Sequence, residues 1–145
     1  NTKSTLDDYY QMDLHYGKLK VTVKTDPLVA MPNPRFILHG TAGSYVKYDI
    51  DQQENDLKLG IMPGDLNFGL DTPDKYGKVK YHNQNGDWIS KQIPSLQGDY
   101  GRIYDSLYDS IINGKEKLVS DEETLLDIEI LESGIQQPTP SVVHF

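Results

Sequence analysis

Few positions in this 145-residue chain combine side-chain types at a spacing that could do chemistry. The densest group is Lys47 with Asp49, Asp51, Gln52, Gln53 and Glu54. Carboxylates accept hydrogen bonds, primary amides both donate and accept, and an ammonium only donates. A cluster that mixes all three suits a ligand carrying several hydroxyls, such as a polyol or a sugar. A plainer role competes for part of it. Asp51 precedes a stretch able to make two helical turns, where its carboxylate would cap the first backbone amides. Asp49 and Asp51 stand two apart on a strand and so share a face. Glycosidase carboxyls flank the scissile bond from opposite sides, so a hydrolase built on this pair is disfavoured.

The other chemical candidates reduce to structure. Asp7-Asp8 precedes a strand pattern and reads as solvated, and Asp121-Glu122-Glu123 opens a helix, where negative charge meets the positive end of the dipole. His15, His39, His82 and His144 stand apart, with no spacing that puts two imidazoles on one helix face, so no metal site is expected. His39-Gly40-Thr41-Ala42-Gly43-Ser44 is rich in small residues but joins two strands. A pyrophosphate cradle needs a strand-to-helix turn instead. Neither a P-loop nor a G-x-S-x-G elbow occurs. Tyr100, Tyr104 and Tyr108 recur every fourth residue and read as one packed helix stripe, while Phe68 sits in an irregular stretch where it anchors the loop or lines a pocket.

Positioning these groups falls to a strand-rich first two-thirds and a helical last third. Tyr10, Met12, Leu14 and Tyr16 alternate with polar residues, and Leu19, Val21 and Val23 do so again after Gly17-Lys18, which predicts a hairpin. A proline-punctuated loop through Pro34 follows. Residues 35–40 and 44–50 predict a second hairpin, and 76–82 with 87–93 a third, turned by Asn83-Gln84-Asn85-Gly86. Between them, 51–59 predicts a short helix and 60–74 a long loop. Tyr100 to Ile112 has helical spacing stopped by Asn113-Gly114, and Ser120 with Glu123 is a capping box for a last helix. Strands first and helices last predict an α+β domain over residues 1–145. It would be a largely antiparallel open-faced sheet of roughly six strands with helices packed on one face. The face left uncovered calls for polar side chains or a second copy of the chain, pairing as a homodimer.

Composition narrows the partners. The formal net charge is −8, which argues against nucleic acid and against an anionic membrane. The absence of cysteine excludes disulfides and thiolate chemistry. Neither a secretory leader pattern nor a spanning apolar run occurs, and a cytoplasmic location is the default expectation. The chain lacks an initiator Met, which suits a piece of a longer protein.

Three blocks carry a resemblance: DDYYQMDLHYGKLKVTVK, then PRFILHGTAGSYVKYDIDQQENDLKLG with Met62-Pro63-Gly64-Asp65, and GDYGRIYDSLYDSIINGKEKLVSDEETLLDIEILESG. In this order and spacing the chain resembles the C-terminal domain of the Gfo/Idh/MocA oxidoreductases (glucose–fructose oxidoreductase and inositol dehydrogenase). The resemblance implies a substrate-binding and oligomerisation domain of an NAD(P)-dependent enzyme acting on a sugar or polyol hydroxyl. It implies as partners the protein's own N-terminal nucleotide-binding domain, a second copy through the open sheet face, and a small-molecule substrate. NAD or NADP would be held by the parent and by nothing in this stretch. In such enzymes the catalytic lysine, within Glu-Lys-Pro, and an Asp and a His on a helix precede the region matched here, so no catalytic residue is assigned. The resemblance places Lys47, Asp51, Gln53 and Glu54 at the sheet edge facing the substrate cleft. The competing reading is a stand-alone α+β binding or assembly module without catalysis.

Overall fold

The computed structural model describes residues 9–136 and 142–143; Asp7, Asp8 and His144, and most of the tail after Gln136, lie outside the described residues. The chain divides into two compact units, one of Asn1–Pro32 with Val119–Phe145 and the other of Asn33–Leu118.

In the first unit, β1 (Tyr10–Tyr16) and β2 (Leu19–Thr25) pair antiparallel from Tyr10↔Thr25 to Tyr16↔Leu19. Gly17 takes φ +59 at the turn, a left-handed conformation that costs a residue without Cβ little. The alternation is kept: Tyr10, Met12 and Leu14 are half-buried, while Gln11, Asp13 and His15 are exposed. The long C-terminal helix of this unit (Asp121–Gln136) brings Gly134 against the Tyr10 hydroxyl and the Met12 Cε, where a side chain would not fit. Its N-terminus is the expected capping box. Ser120 N–H donates to Glu123 Oε2 at 2.9 Å, and Glu123 N–H donates to Ser120 Oγ at 3.1 Å.

In the second unit, β3 (Phe36–His39), β4 (Gly43–Lys47), β5 (Gly77–His82) and β6 (Trp88–Ile93) form one antiparallel sheet in sequence order. The register runs Leu38↔Tyr45↔Val79↔Lys91, so Phe36, Leu38, Tyr45, Lys47, Val79, Tyr81, Ile89, Lys91 and Ile93 share one face. Ile37, His39, Ser44, Val46, Lys78, Lys80, His82 and Trp88 share the other. Contacts agree with this division: Lys80 lies over the Trp88 ring, which also meets His82, while Lys91 lies over Tyr81 on the opposite side. Helix α1 (Gln53–Lys58) follows β4, and α2 (Gly101–Asn113) follows β6 and ends at Gly114 in the left-handed region. The C-terminal helix of the first unit is α3.

The α+β class predicted from the sequence is the class observed. Two details differ. The six strands make two hydrogen-bonded sheets, of two and four strands, because the Pro-rich stretch between Thr25 and Phe36 separates the hairpins without a ladder. The cap position itself is Gln52, without a side-chain cap bond, while Asp51, one residue earlier, accepts the first helical amide, Gln53 N–H, at Oδ1 and the Gln53 side-chain amide at Oδ2.

Candidate functional site

Strand β4 ends at Lys47, and the chain turns through Asp51 into α1. The predicted loop 60–74 then doubles back and closes in a single 3-10 turn, Pro73–Lys75. Its anchor is Phe68, 2% exposed, the buried apolar side chain among the described residues. Around it the buried side chains are polar: Lys47, Gln53, Asp56 and Asp71, each under 10% exposed. Buried polar groups demand partners, and here the partners link every segment of the region.

Lys47 uses all three ammonium protons. They go to Asp71 Oδ2 at 2.5 Å, the Lys75 carbonyl at 2.9 Å and Ser95 Oγ at 3.0 Å. Asp71 Oδ1, on the same carboxylate, is buried without a hydrogen-bond partner. Asp56 receives the Gly69 N–H at 2.8 Å and the Gln52 amide at 3.1 Å, and Lys75 donates to Gln52 Oε1. Gln53 donates to Asp51 Oδ2 at 2.7 Å and accepts from the Tyr100 N–H at 2.5 Å. Gly69, at φ +70, lies where an added Cβ would collide with the Gly98 carbonyl; its own carbonyl accepts the Gly98 N–H at 3.1 Å. Glycine at 69 lets the loop and the segment after β6 meet backbone to backbone, and glycine at 98 leaves room for the Gln53 amide and the Asp51 carboxylate.

The four residues singled out from the sequence therefore occupy three different situations. Lys47 is buried with its donors committed. Asp51 and Gln53 are bonded to each other, and the Asp51 carboxylate, half-buried, keeps spare acceptor capacity. Glu54 projects into solvent, paired with Lys58 at 2.7 Å, and that ammonium holds its carboxyl below the usual glutamate range. Asp51 and Gln53 are brought together; Glu54 lies on the exposed side of the same helical turn. Sequence reasoning missed Asp56, Asp71 and Ser95. Asp71 sits in a Gly/Pro/Asp-rich stretch without periodicity, Asp56 within the predicted helix and Ser95 after the third hairpin, and nothing local marks any of the three as buried or partnered.

Beside this network lies a small polar hollow of about 180 Å³, floored by Phe68 and rimmed by Asp65, Gln97, Asp99 and Arg102. The Gln97 amide is tied to the Phe68 carbonyl at 2.8 Å, and Asp99 accepts the Gly101 N–H at the start of α2. Arg102 and Asp99 approach to 4.0 Å on the rim. Among the described residues no cluster of His, Asp or Glu has a metal-binding arrangement, and no helix is long and apolar enough to cross a membrane. The region can hold a loop in place and present acceptors to hydroxyls.

Comparison with known proteins gives this architecture its place. Residues 1–142 match the family model described as the oxidoreductase family, C-terminal alpha/beta domain. The chain is 45% identical over 97% of its length to the uncharacterized oxidoreductase YhhX of Escherichia coli, covering 40% of that protein. It is 35% identical over 89% of its length to scyllo-inositol 2-dehydrogenase (NADP(+)) IolW of Bacillus subtilis, covering 36% of it. A crystal structure of an oxidoreductase from Bacillus cereus superposes with a TM-score of 0.85 at 57% identity, covering 94% of this chain and 41% of that one. The chain thus spans about 40% of the length of the relatives it matches. It belongs to the Gfo/Idh/MocA oxidoreductase family, as that family's C-terminal alpha/beta domain.

Proposed function

We propose that this chain is the substrate-binding and oligomerisation domain of an NAD(P)-dependent oxidoreductase acting on a hydroxyl of a sugar or polyol. The observation that carries the proposal is the polar wall at the end of β4, where buried amide and carboxylate groups are fixed in place and further acceptors stay available. A relative named for an inositol and NADP(+) supports the same substrate class and cofactor type. In this reading Asp51 and Glu54 accept hydrogen bonds from substrate hydroxyls, while Lys47 and Gln53 hold the wall that carries them. The nucleotide is bound by the protein's own N-terminal domain, and this domain alone binds neither NAD nor NADP. The enzyme works in the cytoplasm.

Assembly follows from the second unit's sheet. Phe36 and Leu38 are 51% and 63% exposed on the apolar face, while the opposite face carries Lys78, Lys80, His39 and His82. An isologous pairing through the basic face would set those charges near their own copies. On the apolar face the exposed cation is Lys91, which lies over the Tyr81 ring, so a homodimer through that face brings fewer charges together.

The functional test is turnover. Full-length protein is supplied with NAD+ or NADP+ and a panel of sugars and polyols, and nicotinamide reduction is followed by absorbance. Asp51→Asn is expected to raise KM by about tenfold, the worth of one charge-assisted hydrogen bond, with a smaller change in kcat. Unchanged KM in both Asp51→Asn and Glu54→Gln would remove these residues from the substrate.

A further inference from the structure

We infer that Lys47 and Asp71 form an internal latch that positions residues 60–76 and 94–100 as one body, so that both are positioning residues for whatever the wall binds. The inference rests on the proposed wall and deepens that reading, and its test needs no substrate. Four observations carry it. Lys47, at the end of a sheet strand, reaches 24 residues along the chain to Asp71 and 48 residues to Ser95, joining two segments that belong to no ladder. It also holds the Lys75 carbonyl at the loop's exit. The ion pair is buried, with side-chain exposures of 9% and 1%. Finally, Asp71 keeps one buried oxygen unpartnered, so Lys47 is what offsets the carboxylate's burial.

A buried ion pair is a poor device for stability alone, since a well-packed apolar pair of similar volume often does as well. It is a good device for register. The ammonium accepts one geometry of three acceptors, and a carboxylate left without it tolerates no dry alternative. Elsewhere the region is fixed by Phe68, its buried apolar anchor, by side-chain hydrogen bonds through Gln52, Gln53, Asp56, Gln92 and Gln97, and by the backbone bond from Gly98 N–H to the Gly69 carbonyl. Remove Lys47 and Asp71 together, and the fold keeps its sheet while the two segments lose the tie that holds both to β4, keeping their bonds to one another and to α1.

Hydrogen exchange of the full-length protein, read by mass spectrometry at peptide resolution, tests this. The variants are Lys47→Met, Asp71→Leu, the double variant, Ser95→Ala and Ser95→Thr. Each single change at the pair should lower Tm and speed exchange in 60–76 and 94–100 by about tenfold or more, while β1 and β2 stay as an unchanged reference. The double variant should recover Tm to near wild type yet keep the fast exchange in both segments. Ser95→Ala should loosen 94–100 and Ser95→Thr, which restores the hydroxyl, should tighten it again. Recovery of protection together with Tm in the double variant would reduce the pair to ordinary packing and overturn the inference. If the pair variants fail to fold, the serine variants decide: wild-type protection of 94–100 in Ser95→Ala also overturns it.

Discussion

At the scale of single residues, space and charge make different demands. Gly77 on β5 lies under the Tyr45 ring, so a Cβ there would meet the phenol itself. Gly77→Ala is therefore expected to cost roughly 1–3 kcal/mol, the usual penalty for overpacking, measured by urea denaturation of the full-length protein. A stability equal to wild type would mean the ring moves aside freely. Lys47 and Asp71 show the limit of what a sequence reveals. The cluster around Lys47 was visible because donors and acceptors crowd within eight residues, 47 to 54. Its partner was invisible: Asp71 is one of several aspartates in an aperiodic stretch, and only the fold selects it. The direction of the lysine, inward to a carboxylate rather than outward to a ligand, is a tertiary fact.

At the scale of elements, local chemistry was legible wherever it closes on itself. Hairpins declared themselves by period-two alternation around Gly17-Lys18 and Asn83–Gly86, and α3 by the reciprocal bonds of Ser120 and Glu123. The capping box also yields a prediction with a definite sign. The Ser120 N–H and then the Ser120 hydroxyl bond the Glu123 carboxylate, holding it below the ordinary value of 4.5. Because the folded value is depressed, the contribution is fully present above that ordinary value and disappears as pH falls through the lower, folded one. Thermal melts of Glu123→Gln should accordingly differ from wild type at neutral pH and converge with it in acid. Ser120→Ala should cost about 1 kcal/mol at neutral pH. Convergence at high pH instead would show that the carboxylate plays no part in the cap. The division of six strands into two ladders was not legible, since strand pattern reports periodicity and not which strand is the neighbour.

At the scale of the molecule, exposed apolar side chains are the conspicuous feature. Ile103, Leu107 and Ile111 on α2, and Phe36 and Leu38 on β3, are each more than half exposed. Apolar surface on this scale marks faces that other surfaces cover. For the sheet, the proposed cover is a second copy. Sedimentation equilibrium of the full-length protein should give a dimer or a higher even assembly, and Leu38→Lys should weaken it, whereas Lys80→Glu on the basic face should leave it intact. The reverse pattern would move the interface to the other face. Family membership adds the scale beyond this chain: the relatives it matches are about two and a half times as long. The proposed function assigns the nucleotide cradle to a part of the protein outside this chain.

The most direct measurement of that division of labour is calorimetric titration of NAD+ and NADP+ into the full-length protein and, in parallel, into the 145-residue chain. The account predicts micromolar binding of at least one nucleotide by the full-length protein and none by the chain alone. Saturable nucleotide binding by the chain alone, or none by the full-length protein, would contradict it.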